Sequence, residues 1–255
     1  MGEAAVARDA VARLQQRWGA GVIQRGVGVA TARRAVAPVR SSGVQALDAL
    51  LGARGLPDGL ALLRGALGSG RTTLALRSVA ATQAAGGAAA WIDLARAFDP
   101  LEAATRGVSL ASLPIIAPLH AREAIEICGA LLAADAVDLV VLDLSGARAT
   151  AVRFDELERL AARARRAGAT LLLMGNERAE VAADLSLTCA TLAWIVAGGE
   201  VIGRTVQISL GSGPRAGSSL RWSLYDATSA REEQRIGRIA TTEVLCAPCT
   251  SAGRA

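Results

Sequence analysis

GALGSGRTT, Gly65 to Thr73, is the stretch on which the reading turns. An apolar run, LALLRG (60–65), precedes it, and a helix-forming run, RTTLALRSVAATQAAG (71–86), follows. Strand, glycine-rich turn and helix in that order build a phosphate cradle. The glycines let successive N–H groups face phosphate oxygens, and the helix N-terminus beneath favours anions. Gly65, Gly68 and Gly70 supply the backbone, while Thr72 and Thr73 supply hydroxyls of the kind that reach Mg²⁺. The pattern Gly-x4-Gly-Lys-Thr is met except that Arg71 stands where lysine belongs. A planar guanidinium does not replace a compact ammonium. Arg71 either holds phosphate from the rim or fills the cradle itself. The third reading is an inherited turn that merely joins strand to helix.

Outward from this loop, strands and helices alternate. AAAWIDL (88–94), DLVVLDL (138–144) and ATLLLMGN (169–176) read as strands, the last two as continuous apolar runs of buried parallel type. AREAIEICGALLAAD (121–135) and FDELERLAARARRAG (154–168) read as helices, the first with Ile125, Cys128, Leu131 and Leu132 on one face. The alternation predicts an α/β fold, a mainly parallel sheet flanked by helices. Asp143 closes a central strand at the ligand edge of such a sheet, where a metal or its water would be held. After residue 190 the rhythm changes. TLAWIVAGGEVIGRTVQISL predicts a C-terminal antiparallel hairpin turning at Gly198-Gly199, and SSLRWSLYD (218–226) a further strand.

The expected organisation is an N-terminal helix within 1–23, carrying Val11, Leu14 and Trp18 on one stripe, a linker over 24–42, a core over 43–226 and a tail over 227–255. The chain of 255 residues is 52% hydrophobic and has no lysine, so its net charge of +5 rests on arginine alone. That suits one compact domain with short extensions, and a mildly basic surface admits nucleic acid or acidic partners without demonstrating either. Four sparse cysteines argue against a disulfide scaffold. Glu3, Arg8 and Asp9 are wrong for a secretory signal, and charge, Gly or Pro interrupts every apolar stretch before bilayer length. A cytoplasmic protein without a membrane span is expected.

Smaller features carry less. Cys246 and Cys249 form a lone C-x-x-C, weak as a zinc site, and no metal is expected. His120 precedes a helix and reads as a surface or capping residue. Trp91, Trp194 and Trp222 fall on predicted strands and are expected in the core.

The order of these parts resembles the bacterial RecA recombinase family over nearly the whole chain, with a P-loop NTPase core. AVARLQQRWGAGVIQRG resembles that family's N-terminal helix and following strand, which dock on a neighbouring subunit. SSGVQALDALLGARGLPDG resembles the lead into the phosphate loop, and EAIEICGALLAADAVDLVVLD the helix and metal-binding strand. The resemblance implies a Glu that activates water in the loop after Asp93, but Ala95 stands there. It implies an aromatic ring on adenine where Glu102 stands, though Asp99 matches and would touch a base. Asn176 or Glu177 replaces the glutamine that senses the γ-phosphate, and QISLGSGP lacks the family's basic residues. The DNA loops are shortened, the second to roughly AEVAADLSL, and the tail stands in place of the family's C-terminal DNA-gathering domain. Arginines 153, 159, 163, 165 and 166 read as a solvated helix face interleaved with acids.

A RecA-shaped chain with these changes resembles the ImuA family. The resemblance implies a non-catalytic accessory factor in damage-induced translesion synthesis. Its partners would be RecA and an ImuB-type inactive Y-family polymerase homologue, with self-association possible in principle and DNA contact weak or indirect. No cofactor is expected beyond weak ATP and Mg²⁺ binding. Partner contact is assigned to Val11, Leu14 and Trp18 and to the tail arginines Arg231, Arg235 and Arg238. The alternatives are a divergent ATP-dependent recombinase and a DNA-binding regulator without ATPase activity.

Overall fold

A computed structural model describes residues 40–52, 55–145, 152–175 and 182–225, and the backbone of 244–245. Val11, Leu14, Trp18, Asn176, Glu177, Arg231, Arg235, Arg238, Cys246 and Cys249 lie outside the described residues, as do 146–151 and 176–181, within the two shortened loops. In chain order the elements are α1 (Gln45–Leu51), β1 (Gly59–Arg64), α2 (Arg71–Ala84), β2 (Ala89–Asp93), α3 (Pro100–Thr105), a 3-10 turn (Leu110–Ser112), β3 (Ile115–Ile116), α4 (Ala121–Ala133), β4 (Leu139–Asp143), α5 (Phe154–Ala167), β5 (Thr170–Met174), β6 (Leu185–Ala197), β7 (Glu200–Ser212), β8 (Ser219–Tyr225) and β9 (Val244–Leu245).

The strands form one sheet in the order β3-β2-β4-β5-β1-β6-β7-β8-β9. From β3 to β6 every pairing is parallel, and from β6 to β9 every pairing is antiparallel. The continuous apolar runs have a direct cause. Side chains alternate between the faces of a strand, and here both faces are covered. Along β1, Ala61 and Leu63 point to one face, while Leu60 and Leu62 point to the other. On the first face α1 and α2 bring Leu47, Leu50, Leu74 and Val79 against Trp91 and Val141. On the second, α4 and α5 bring Cys128, Leu132, Leu157 and Leu160 against Val140, Leu142 and Leu171. Burying each such leucine contributes about 1.5–3 kcal/mol.

The expected fold class holds, hairpin included. The hairpin turns at Gly198 (φ 59°) and Gly199 (φ 86°), between the paired Ala197 and Glu200. Two positive φ values match the right-handed strand twist, and glycine allows them.

Several expectations change. The end of the expected linker belongs to the domain: Arg40 is buried and bonds Asp58 and the Gly168 carbonyl, and Ser42 is fully buried. Short elements went unread, namely α1, α3, β3 and the 3-10 turn, because too few residues show a period. Within the expected tail, Val244–Leu245 pairs with Leu220–Ser219 as β9. Trp91 is core, edge-on to Phe98 at 5.1 Å, and Trp222 packs partly buried against the first face. Trp194 is not core. It is 62% exposed, because the distal half of β6 extends beyond the helices that would cover it. His120 is exposed at the N-cap position of α4, without a capping bond from its side chain. Among the described residues no helix is long and apolar enough to cross a membrane.

Candidate phosphate-loop site

β1 delivers the chain to the carboxyl edge of the sheet, and the loop turns there into α2. Two glycines are demanded by close approach. A Cβ on Gly65 (φ +143°) would lie 2.5 Å from the Cys189 carbonyl oxygen. One on Gly70 (φ +90°) would lie 2.8 Å from Leu224 Cδ1 and 3.1 Å from Val206 Cγ2. The loop is therefore clasped by the antiparallel strands. Thr191 Oγ1 adds a hydrogen bond to the Gly68 carbonyl at 3.0 Å. A Cβ on Gly68 would meet nothing, and Leu67 on the outer crest is 90% exposed.

Arg71, the first residue of α2, is only 8% exposed. Its Nη1 donates to the Gly65 carbonyl at 2.6 Å, and its Nη2 donates to Ser145 Oγ at 2.9 Å. Of the placements open to it, the structure has the guanidinium folded inward onto the loop. Asp143, buried at the end of β4, accepts from Ser145 N at 2.8 Å through Oδ1. Arg71 and Asp143 thus meet through Ser145. Thr72 is exposed and Thr73 is buried. Ser69 Oγ is buried and has no hydrogen-bond partner.

Asp93 is the register neighbour of Asp143. Its oxygens accept from Ala97 N at 3.1 Å and Phe98 N at 2.8 Å, which ties down the loop containing Ala95. Asp99 caps α3, its Oδ1 accepting from Leu101 N and Glu102 N. That carboxylate serves the helix, which explains its place before Pro100. Glu102 pairs with Arg106 at 2.7 Å. Away from the loop, Arg153 and Arg159 both pair with Asp155, and Arg165 pairs with Asp184, so these arginines are a salt-bridged helix face.

Burial pushes the Cys189 thiol up to about 12, and the nearby Arg71 charge offsets part of that rise. Sequence reading missed Cys189, Ser69 and Ser145. The only signal for Ser145 was its place two residues beyond a strand-ending Asp. A nucleotide phosphate needs the cradle's inner space and a cation turned toward it. As arranged, the cation faces the loop's own carbonyl, so a bound phosphate would require the guanidinium to turn away from it. Among the described residues no group of three His, Cys, Asp or Glu could hold a metal ion.

The RecA N-terminal domain family matches residues 5–204. The chain belongs to the RecA family. It is similar to RecA of Roseiflexus sp. (strain RS-1), 38% identical over 135 residues, covering 52% of this chain and 38% of that protein. It is similar to RecA of Streptococcus pyogenes serotype M49 (strain NZ131), 40% identical over 136 residues, covering 53% of this chain and 35% of that one. RecA of Leptospira meyeri is 40% identical over 135 residues, with 52% and 34% covered. The chain therefore spans 34–38% of the length of these relatives. Its fold resembles the crystal structure of the RadB recombinase, with a TM-score of 0.57 over 72% of this chain and 94% of that one at 20% identity. That likeness establishes the RecA-like fold.

Proposed function

We propose that this RecA-family chain is a DNA-repair factor whose phosphate loop is closed by its own arginine and does not turn ATP over. The observation that carries this reading is the Arg71 guanidinium, buried and bonded to the Gly65 carbonyl and Ser145. Ala95 adds to it. General-base help needs a proton acceptor near the attacked phosphorus, and alanine has none. On this reading the protein works by contact with other proteins in the cytoplasm, and ATP with Mg²⁺ binds weakly. The finer assignment, an accessory to translesion synthesis acting with RecA and a polymerase-like partner, rests on the sequence resemblance to ImuA.

A second reading has specific support. The relatives are named RecA and RadB recombinase, which favours an ATP-dependent recombinase over the specialised accessory role. ATP turnover with and without single-stranded DNA separates the two. The expected result is no turnover above background. Turnover that Arg71→Ala abolishes would establish the recombinase reading. Co-purification with RecA or the polymerase homologue then tests the finer assignment.

A further inference from the structure

We propose that Ser145 is the positioning residue of a latch that holds Arg71 in the phosphate cradle, and that a nucleoside polyphosphate enters by drawing the guanidinium away from it. The proposal rests on the closed loop described above and concerns how that loop opens.

Ser145 presents its hydroxyl from a fixed backbone. Ser145 N donates to Asp143 Oδ1 at 2.8 Å, and Leu144 N donates to the Met174 carbonyl at 3.0 Å. Gly175, at φ +110°, presses on the same segment. A Cβ there would lie 2.2 Å from Ser145 N and 2.5 Å from Leu144 C. The other end of the latch is equally constrained, because Arg71 follows the left-handed Gly70 at the head of α2. The guanidinium therefore bridges the loop and the end of β4.

The bonds of this bridge point to an anion. Arg71 donates to a carbonyl and a hydroxyl, and makes no ion pair among the described residues. A buried cation without a countercharge is costly, and charge-assisted bonds to phosphate are stronger than bonds to neutral acceptors. Phosphate oxygens would replace the Gly65 carbonyl and the Ser145 hydroxyl as partners. The orphaned Ser69 Oγ, 2.4 Å from where a Gly65 Cβ would stand, leaves a further buried hydroxyl within the same loop. Closure and anion affinity thus belong to one side chain, and Ser145 biases it toward closure.

Titration of the full chain with a fluorescent ATP analogue, with thermal unfolding as the folding control, tests the latch. Ser145→Ala removes one bond from the closed state and is expected to tighten binding roughly three- to tenfold. Ser145→Thr keeps the hydroxyl and is expected to bind like the unmodified chain. Arg71→Lys is expected to gain at least as much as Ser145→Ala. If Ser145→Ala fails to fold, the near-isosteric Ser145→Cys, a poor acceptor, takes its place. Ser145→Ala, or Ser145→Cys in its place, binding no tighter than the unmodified chain overturns the latch, and so does the absence of binding by every variant. A gain for Arg71→Lys alone also overturns it, while leaving the closed loop intact. Turnover by the unmodified chain overturns the non-catalytic reading, and a Ser145→Ala gain would still uphold the latch.

Discussion

The parallel half of the sheet and the distal β6–β7 hairpin have equally apolar sequences and opposite environments. LVVLD in β4 and TLLLM in β5 are buried at every position. TLAWIVA at the end of β6 has Leu192 at 46%, Trp194 at 62% and Val196 at 58% exposure. The difference lies in what covers them. Helices flank the parallel strands on both faces, whereas the hairpin runs past the carboxyl edge beyond the described helices. Cys189 marks the boundary, as the last buried residue of β6. Apolarity measures a tendency to be covered, and coverage is supplied by other elements.

The contrast can be broken most severely in β4. Leu142→Ala empties space between β4, α4 and α5, and is expected to cost about 2–5 kcal/mol in denaturant unfolding. A loss below ~1 kcal/mol would mean that the second face is loosely packed.

The thiols sharpen the boundary. Burial pushes Cys128 and Cys189 each from 9.0 up to about 12. A thiol held protonated by burial favours unfolding wherever the unfolded thiol ionises. Its contribution to folded-state stability is complete below pH 9.0 and is lost as pH rises toward about 12. Unfolding free energy should fall over that window by up to about 1.4 kcal/mol per pH unit for each thiol. Comparing Cys128→Ala and Cys189→Ala at pH 8 and pH 10 checks it, and an unchanged slope in either variant removes that residue from the account.

The smallest effect belongs to the hairpin. Trp194→Ala is expected to change stability by no more than ~0.5 kcal/mol, since the ring is mostly in water already. A larger loss would show that the indole is covered in solution.

What was legible follows the same division. The glycines, the strand before them and the helix after them identified the loop, because cradle geometry needs those residue types in consecutive order. Asp143 was legible for the same reason, ending an apolar run. Trp194 was misplaced because a strand pattern reports alternation and apolarity, not the length of neighbouring helices. That Asp99 Oδ1 caps α3 was legible only from the Pro that follows it. The pairing of Ser145 with Arg71 was unreadable, because nothing local brings residue 145 to residue 71.

Chain order and local chemistry alone decided the α/β class, the loop and its departure at Arg71, since each depends on near neighbours in sequence. Where the guanidinium points was decided only by the folded sheet. β4 and β1 are separated in order by β5, and the close packing of Gly175 sets Ser145 within reach of α2. A long, flexible side chain takes its direction from the acceptors that packing supplies, and those acceptors come from parts of the chain far apart in sequence.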